Sequence, residues 1–124
     1  MKEIIVEPTK TTFSVLFDFS KGLLHFSGNS YPENAIEFFQ PLINKLKNVL
    51  KNYHKPLEVV FVVNYFNTSS SKYMFKIMEL LDQYKRKGNV VQVYWHLQPG
   101  EEDMLETWHE LMDELDMDFT VVEA

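Results

Sequence analysis

The chain contains no cysteine and only four glycines, and both shortages narrow the kinds of site that it can encode. Without cysteine there is no disulfide framework, no thiolate nucleophile and no cysteine metal site. The glycines are isolated from one another, so the sequence has no glycine-rich phosphate loop and no Gly-x-Ser-x-Gly motif. Local motifs therefore give no indication of an enzyme, and we expect a protein that is not one.

Long apolar segments and basic segments are also missing. The longest apolar run, 59–63, is far too short to cross a bilayer, and no secretion signal follows Met1. The net charge is -6, whereas a nucleic-acid binder usually presents a basic face. The one short basic run, Lys85–Lys87, falls where a helix is expected to end, and cations are favourable there. We expect a cytoplasmic protein that binds neither nucleic acid nor a membrane.

The 124 residues are predicted to form one domain, 1–124, because a chain of this length can bury a substantial core. Apolar periodicity predicts the order β-β-α-β-α-β-α-β, with about five strands and about three helices. This is an α/β fold with a mixed sheet whose first two strands form a hairpin. Its topology resembles that of the sulfate-transporter and anti-sigma-factor-antagonist (STAS) domains, which by itself says little about function.

The strands are predicted from alternation and β-branched content. The hairpin pairs Phe13–Asp18 with Leu23–Ser27, and the segment from Gly28 is expected to break the second strand. Leu57–Phe66 is apolar on both alternating faces, which is typical of a central strand covered on both sides. Two further strands are predicted at Val90–Trp95 and Phe119–Val122.

The helices are predicted from apolar residues at helical spacing. The first has Pro32 in its first turn and should kink at Pro41 or end near Gln40. The second runs from about Lys72 to Arg86, and the third has an acidic outer face. The predicted apolar stripe of the first helix comprises Ile36, Phe39, Ile43, Leu46, Leu50 and Tyr53.

Metal-ligating residue types are present but not at the spacings of known sites. His109 and Asp113 only partly match the zinc-protease helix motif, since the second histidine of that motif is missing. The acidic run 101–103 lacks the glycine and alternating oxygen ligands of a calcium loop. It is a solvated helix start or a surface for a basic partner, and the sequence does not separate the two. We therefore expect no metal site and no cofactor.

Four consecutive hydroxyl residues, 68–71, follow the central strand. One hydroxyl suffices to cap a helix, and no capping box accounts for the others. The carboxyl end of such a strand is a favoured ligand site, and a helix start tolerates an anion. Three interpretations stay open: a polar loop with one cap, a domain that senses an anion or nucleotide through 67–71, and a site of regulatory phosphorylation.

Two segments of the chain have a distinctive pattern. The first is Ser-Tyr-Pro-Glu-Asn-Ala at 30–35, followed by Phe38, Phe39 and Pro41. The second is Tyr-Phe-Asn-Thr-Ser-Ser-Ser-Lys at 65–72. These segments resemble the two signatures of the SiaC-like regulatory phosphoproteins. The later Gly88, Val91, Val93 and Trp95 keep the family's order, so the resemblance covers nearly the whole chain.

The resemblance implies one phosphorylated residue in the second signature. By position this is Thr68, and the neighbouring alternatives are Ser69, Ser70 and Ser71. It also implies a serine/threonine kinase and a metal-dependent phosphatase of the PP2C type as antagonists. In the best-understood branch of this family the unphosphorylated protein binds and activates a diguanylate cyclase, and the resemblance therefore implies a link to cyclic-di-GMP signalling and bacterial biofilm regulation. The implied function is a partner-switching signal-transduction protein, and the output partner could also be another protein.

The same resemblance suggests which residues contact partners. If both signatures lie on one edge of the sheet, they form one surface, and the residues assigned to it are Tyr31, Pro32, Glu33, Asn34, Asn67 and Lys72. The first four also have a structural interpretation, because Pro32 and Glu33 suit a helix start and Tyr31 could pack against it. The segment 43–46 departs from the family pattern, which bears on the partner more than on the phosphorylation site.

Overall fold

A computed structural model describes residues 3–123, which form one six-stranded mixed sheet with three helices. The sheet order follows the chain order, β1 to β6. β1 to β3 are antiparallel neighbours, and β3 to β6 are parallel. The strands are β1 (Glu3–Val6), β2 (Ser14–Asp18), β3 (Leu23–Ser30), β4 (Leu57–Phe66), β5 (Val91–Leu97) and β6 (Thr120–Glu123), and the helices are α1 (Ala35–Leu50), α2 (Thr68–Arg86) and α3 (Glu102–Glu114).

The predicted element order is confirmed, with one strand added at the start. β1 was missed because its four residues, with only three apolar ones, give too short a pattern to recognise. β3 was predicted to break at Gly28, but it continues to Ser30 through a register shift between Gly28 and Asn29. Gly28 has a φ of +94°, which glycine adopts without strain, so the strand bends there and continues.

All three helices cover the same face of the sheet. Each crossover from β3 to β6 steps one strand in the same direction, and right-handed connections then place every helix on one side. The core lies between them: Phe61 of β4 stacks on Phe26 of β3 with ring centroids 4.9 Å apart, and Trp108 of α3 lies 4.4 Å from Phe61. The prediction that the central strand is covered on both faces is therefore wrong.

The uncovered face explains why β4 looked two-sided in sequence. Val60 and Val62 point away from the helices, yet Val60 is only 8% exposed because its neighbours on the adjacent strands shield it. His25 on β3 is registered directly beside Val60, and Tyr94 flanks it on β5. Neighbouring strands thus give β4 an apolar second face without a second layer of helices.

His25 on this face has a lowered pKa, first because partial burial disfavours its charged form and second because His96 lies nearby. The unfolded chain then binds a proton more readily than the folded one below the usual histidine pKa of about 6.5. The contribution of His25 to the free energy of unfolding is therefore fully present above the unfolded-state pKa. It is lost as the pH falls through the lowered pKa that His25 has in the folded chain. As the pH falls below about 6.5, the free energy of unfolding measured in urea should decrease less for His25→Gln than for wild type. Equal pH slopes would contradict the assignment to His25.

Two predicted helix boundaries are corrected. α1 starts at Ala35, so Pro32 and Glu33 precede it, and the Asn34 side chain caps it by accepting from the Glu37 N–H. The helix runs on through Pro41, which is exposed, so the expected end near Gln40 is wrong. Ile36 belongs to the predicted apolar stripe but is 53% exposed.

No helix among residues 3–123 has the length and apolar character needed to cross a membrane.

Candidate functional site

The two sequence signatures meet at the carboxyl ends of β3 and β4. Ser30 ends β3, and Asn67 follows β4 directly. Because these strands are parallel neighbours, their ends lie on the same edge of the sheet. The Asn67 N–H donates to the Ser30 carbonyl over 3.0 Å, so the start of the second signature is bonded to the end of the first strand.

A buried pair of hydroxyls joins the signatures more closely. The Ser30 and Ser70 hydroxyl oxygens lie 2.7 Å apart, and the Ser70 hydroxyl also lies 3.0 Å from the Ser30 carbonyl oxygen. Both residues are fully buried. A buried hydroxyl is costly unless it is hydrogen-bonded, and each of these two satisfies the other. The pair therefore fixes the first turn of α2 against the end of β3.

This pair supports a double-mutant cycle. Ser70→Ala should lower the free energy of unfolding by about 1–3 kcal/mol, because it leaves the buried Ser30 hydroxyl without its partner. Ser30→Ala should cost less, because the Ser70 hydroxyl keeps its bond to the Ser30 carbonyl. The double variant should cost less than the sum of the two single variants, with a coupling of about 1 kcal/mol. Urea unfolding of the four proteins measures this. Additive costs would show that the hydroxyls do not stabilise each other.

The hydroxyl cluster belongs to the helix and not to a loop before it. α2 begins at Thr68, four residues earlier than predicted, and its N-cap is Asn67, whose side-chain oxygen accepts the Ser70 N–H at 2.9 Å. An amide, not a hydroxyl, therefore caps the helix. The sequence contains this signal, since asparagine is as good a cap as serine, but the four hydroxyls that follow it are competing cap candidates.

The four hydroxyls differ in access. Thr68 and Ser69 are exposed, Ser70 is buried, and Ser71 is half-buried with its hydroxyl donating to the Thr68 carbonyl at 2.7 Å. A kinase needs a free hydroxyl, so Thr68 and Ser69 meet that requirement and Ser70 does not. The Asn67 cap also occupies the Ser70 N–H, one of the donors that a bound anion would need, which weakens the anion-sensing interpretation.

Tyr31 lies beside this turn and pairs with a residue that the sequence analysis did not assign to the surface. Its ring centroid is 6.0 Å from that of Tyr65 at an angle of 65°, an edge-to-face arrangement. Both rings are exposed, at 38% and 44%. Two exposed aromatic rings next to Thr68 are the kind of anchor that protein interfaces use. Alternation along β4 places Tyr65 on the same face as the buried Phe61 and Val63, so no sequence signal marks it as exposed.

The other assigned residues do not all join this surface. Pro32, Glu33 and Asn34 line a separate groove of about 490 Å³ that also includes Glu7 and Thr12. Asn34 has a structural role in addition, as the cap of α1. Lys72 lies one turn after Thr68 on α2 and is exposed. The structure thus brings Tyr31, Asn67 and Thr68 together and sets the 32–34 segment against the β1–β2 connection.

The candidate metal ligands are not grouped. Among residues 3–123 no three histidine or acidic side chains come together in a way that could hold a metal ion. The His109 Nδ1 lies 3.5 Å from the Asp113 carboxylate on the exposed side of α3. These two residues form a surface pair one helical turn apart, which accounts for their spacing.

Two comparisons of the sequence with known proteins identify its family. The model of the SiaC family regulatory phosphoproteins matches residues 6–124. An uncharacterised protein of Pseudomonas aeruginosa strain UCBPP-PA14 is 31% identical over 121 residues, which cover 98% of this chain and 96% of that protein.

Solved structures from the same organism are also similar. The crystal structure of apo-SiaC from Pseudomonas aeruginosa superposes with a TM-score of 0.89 at 30% identity, covering 98% of this chain and 99% of that one. The crystal structure of the diguanylate cyclase SiaD in complex with its activator SiaC gives the same TM-score, identity and coverage. With the family model matching nearly its whole length, this chain belongs to the SiaC family of regulatory phosphoproteins.

Proposed function

We propose that this chain is a protein-interaction switch controlled by phosphorylation of Thr68, and that its unphosphorylated form binds and activates a diguanylate cyclase. The observation that supports it most is the exposed Thr68 at the start of α2, on a turn fixed to the first signature by the Ser30–Ser70 pair. The similar SiaC of Pseudomonas aeruginosa is the activator in a complex with the cyclase SiaD. The chain supplies the binding surface, and the partner performs the chemistry.

Local electrostatics are favourable for a phosphate at Thr68. Thr68 is the first residue of α2, where the partial positive charge of the helix dipole stabilises an anion. A phosphate adds about -1.5 to -2 charge at neutral pH. Lys72 lies one turn further on, at the i+4 position, so its ammonium could pair with the phosphate. The fold would therefore tolerate the modified state, as a two-state switch requires.

The partner surface in this proposal centres on the exposed Tyr31–Tyr65 pair and the Thr68 turn. Asn67 acts as the cap that positions Thr68, and Lys72 supplies a nearby charge. The segment 32–34 contributes through the groove that it shares with the β1–β2 connection. A serine/threonine kinase and a metal-dependent phosphatase set the phosphorylation state, and the protein acts in the cytoplasm, where kinases find ATP.

Phosphopeptide mapping of the protein from its native cells tests the proposal. We expect intact mass to show one added phosphate, located on Thr68 and absent from a Thr68→Ala variant. The variant should retain the diguanylate cyclase when it is purified from those cells. A phosphate on Ser69 or Ser71 would move the site, and no phosphate under several growth conditions would contradict the switch.

A further inference from the structure

A groove between α2 and α3 begins one turn from Thr68. Its volume is about 480 Å³. The floor is apolar, formed by half-buried Phe75 and buried Leu111. The α2 wall carries Lys72 and Lys76 at the end near Thr68 and Glu79 beyond them, and the α3 wall carries Glu110 and Glu114.

The groove lies on the same side of α2 as the phosphoacceptor. Residues at i, i+3, i+4 and i+7 of a helix share one face, and Thr68, Ser71, Lys72 and Phe75 have these spacings. Ser71, Lys72 and Phe75 all line the groove. A charge added at Thr68 therefore lies at the mouth of this groove, one turn from its first basic side chain.

The acidic wall has no explanation in the folding of α3. The helix contains six carboxylates and no lysine or arginine, and acidic residues extend into its last turn. Carboxylates near a helix C-terminus interact unfavourably with the dipole, by about 0.3–1 kcal/mol each. Among residues 3–123, the α3 carboxylates have no lysine or arginine within salt-bridge distance. This wall is thus complementary to a basic partner.

We infer that this groove binds one amphipathic helix of the partner protein, with its apolar stripe on Phe75 and Leu111 and a lysine- or arginine-rich edge against Glu110 and Glu114. Helices commonly dock into such apolar grooves through anchors at i, i+3, i+4 and i+7. The inference rests on the proposed function and names the chemistry of its partner. The opposite edge of the docked helix faces Lys72 and Lys76 at its end near Thr68, so it carries acidic or polar residues there.

The groove also gives phosphorylation a route to the interface. A phosphate on Thr68 draws the Lys72 ammonium away from the partner's acidic edge, because the two are one turn apart. It also places a dianion at the mouth of the groove, where it repels that edge. Both effects weaken docking without any change in the backbone of the fold.

Photo-crosslinking in the native cells tests the groove. Phe75→benzoylphenylalanine places the reactive ketone on the groove floor, and Tyr94→benzoylphenylalanine on the open sheet face is a matched aromatic control. Both are made in the Thr68→Ala background. We expect crosslinks at position 75 to a helical partner segment that is apolar on one side and rich in lysine or arginine beside it. No crosslink at 75, or one to a second copy or a non-helical segment, overturns the inference.

Charge reversal provides a second readout. Glu110→Lys with Glu114→Lys should lower the crosslink yield at position 75 by at least about 10-fold, because like charges across an interface are strongly unfavourable. Glu102→Lys with Glu106→Lys is the control, since it makes the same charge change at the same spacing on α3 outside the groove. Thermal unfolding verifies that both are folded. Equal yields from the two pairs overturn the inference.

The two proposals fail in different ways. If Thr68 is phosphorylated and the cyclase is retained but crosslinks form only at position 94, the switch stands and the groove does not. If crosslinks at position 75 have the expected chemistry but Thr68 is never phosphorylated, the groove stands and the switch fails.

Discussion

Ser70→Glu should lower the free energy of unfolding by at least about 3 kcal/mol, whereas Thr68→Glu should leave it unchanged or raise it slightly. Ser70 is fully buried and bonded to Ser30, so a carboxylate there has no water and no cation to stabilise it. Thr68 is exposed at the start of α2, where an acidic residue is favourable by about 0.3–1 kcal/mol. Two residues in the same helical turn thus give opposite results.

Urea unfolding of both variants, beside Ser70→Ala, separates the causes. Ser70→Ala removes the hydroxyl alone and should cost about 1–3 kcal/mol, so any further loss in Ser70→Glu is the burial of charge. A domain has a free energy of unfolding of only about 5–15 kcal/mol in total, so Ser70→Glu removes a large part of it. A Ser70→Glu protein as stable as wild type would mean that this turn opens readily, and Ser70 would again be a candidate phosphoacceptor.

The sheet and helix order could be predicted because periodicity is a local property. Leu57–Phe66 was located with both boundaries correct, since ten residues of strong β-propensity between two polar segments admit few alternatives. Periodicity does not show which face a crossover covers. Val60 is shielded by neighbouring strands and so resembles a residue under a helix. The helices all lie on one side because the strands are in sequential order, which no single segment encodes.

The position of the candidate site could be predicted from the sequence, but the different exposure of its four hydroxyls could not. Four adjacent hydroxyls look equivalent in sequence, and the helical turn makes one of them buried and two of them exposed. That difference depends on Ser30, which is 40 residues away and meets Ser70 only in the folded chain. Tyr65 was overlooked for the same reason, since its partner Tyr31 comes from another strand end. Contacts between distant segments decide these roles.

The groove between α2 and α3 shows the same limit. The acidic face of α3 was evident from sequence, but it was equally a solvated surface. In the folded chain Glu110 and Glu114 lie across an apolar floor from Lys72 and Lys76. The acidic face thus becomes one wall of a groove. Sequence gives the composition of each wall, and only the fold places the walls together beside Thr68.

Phosphate on Thr68 should lower the affinity for the cyclase by at least about 100-fold. The dianion must be desolvated or must repel the partner's acidic edge, and like-charge contacts in an interface cost several kcal/mol, where 1.4 kcal/mol is a factor of ten. Phosphothreonine introduced at position 68 should therefore reduce cyclic-di-GMP synthesis by the cyclase to its unactivated rate. Titration of the cyclase with modified and unmodified protein measures both effects.

The matched control is phosphothreonine at Thr120, which is also exposed but lies on the edge strand β6, two strands from β4. It adds the same charge to the same chain, so a general effect of net charge would lower the affinity of both proteins. We expect only the protein modified at position 68 to lose binding.

Glutamate is a weaker substitute, because it supplies one negative charge where the phosphate supplies nearly two. If Thr68→Glu abolishes binding as fully as phosphothreonine does, loss of the threonine contact and not the added charge controls the switch. Binding that survives the phosphate at position 68 would place the partner away from both the Tyr31–Tyr65 pair and the α2–α3 groove.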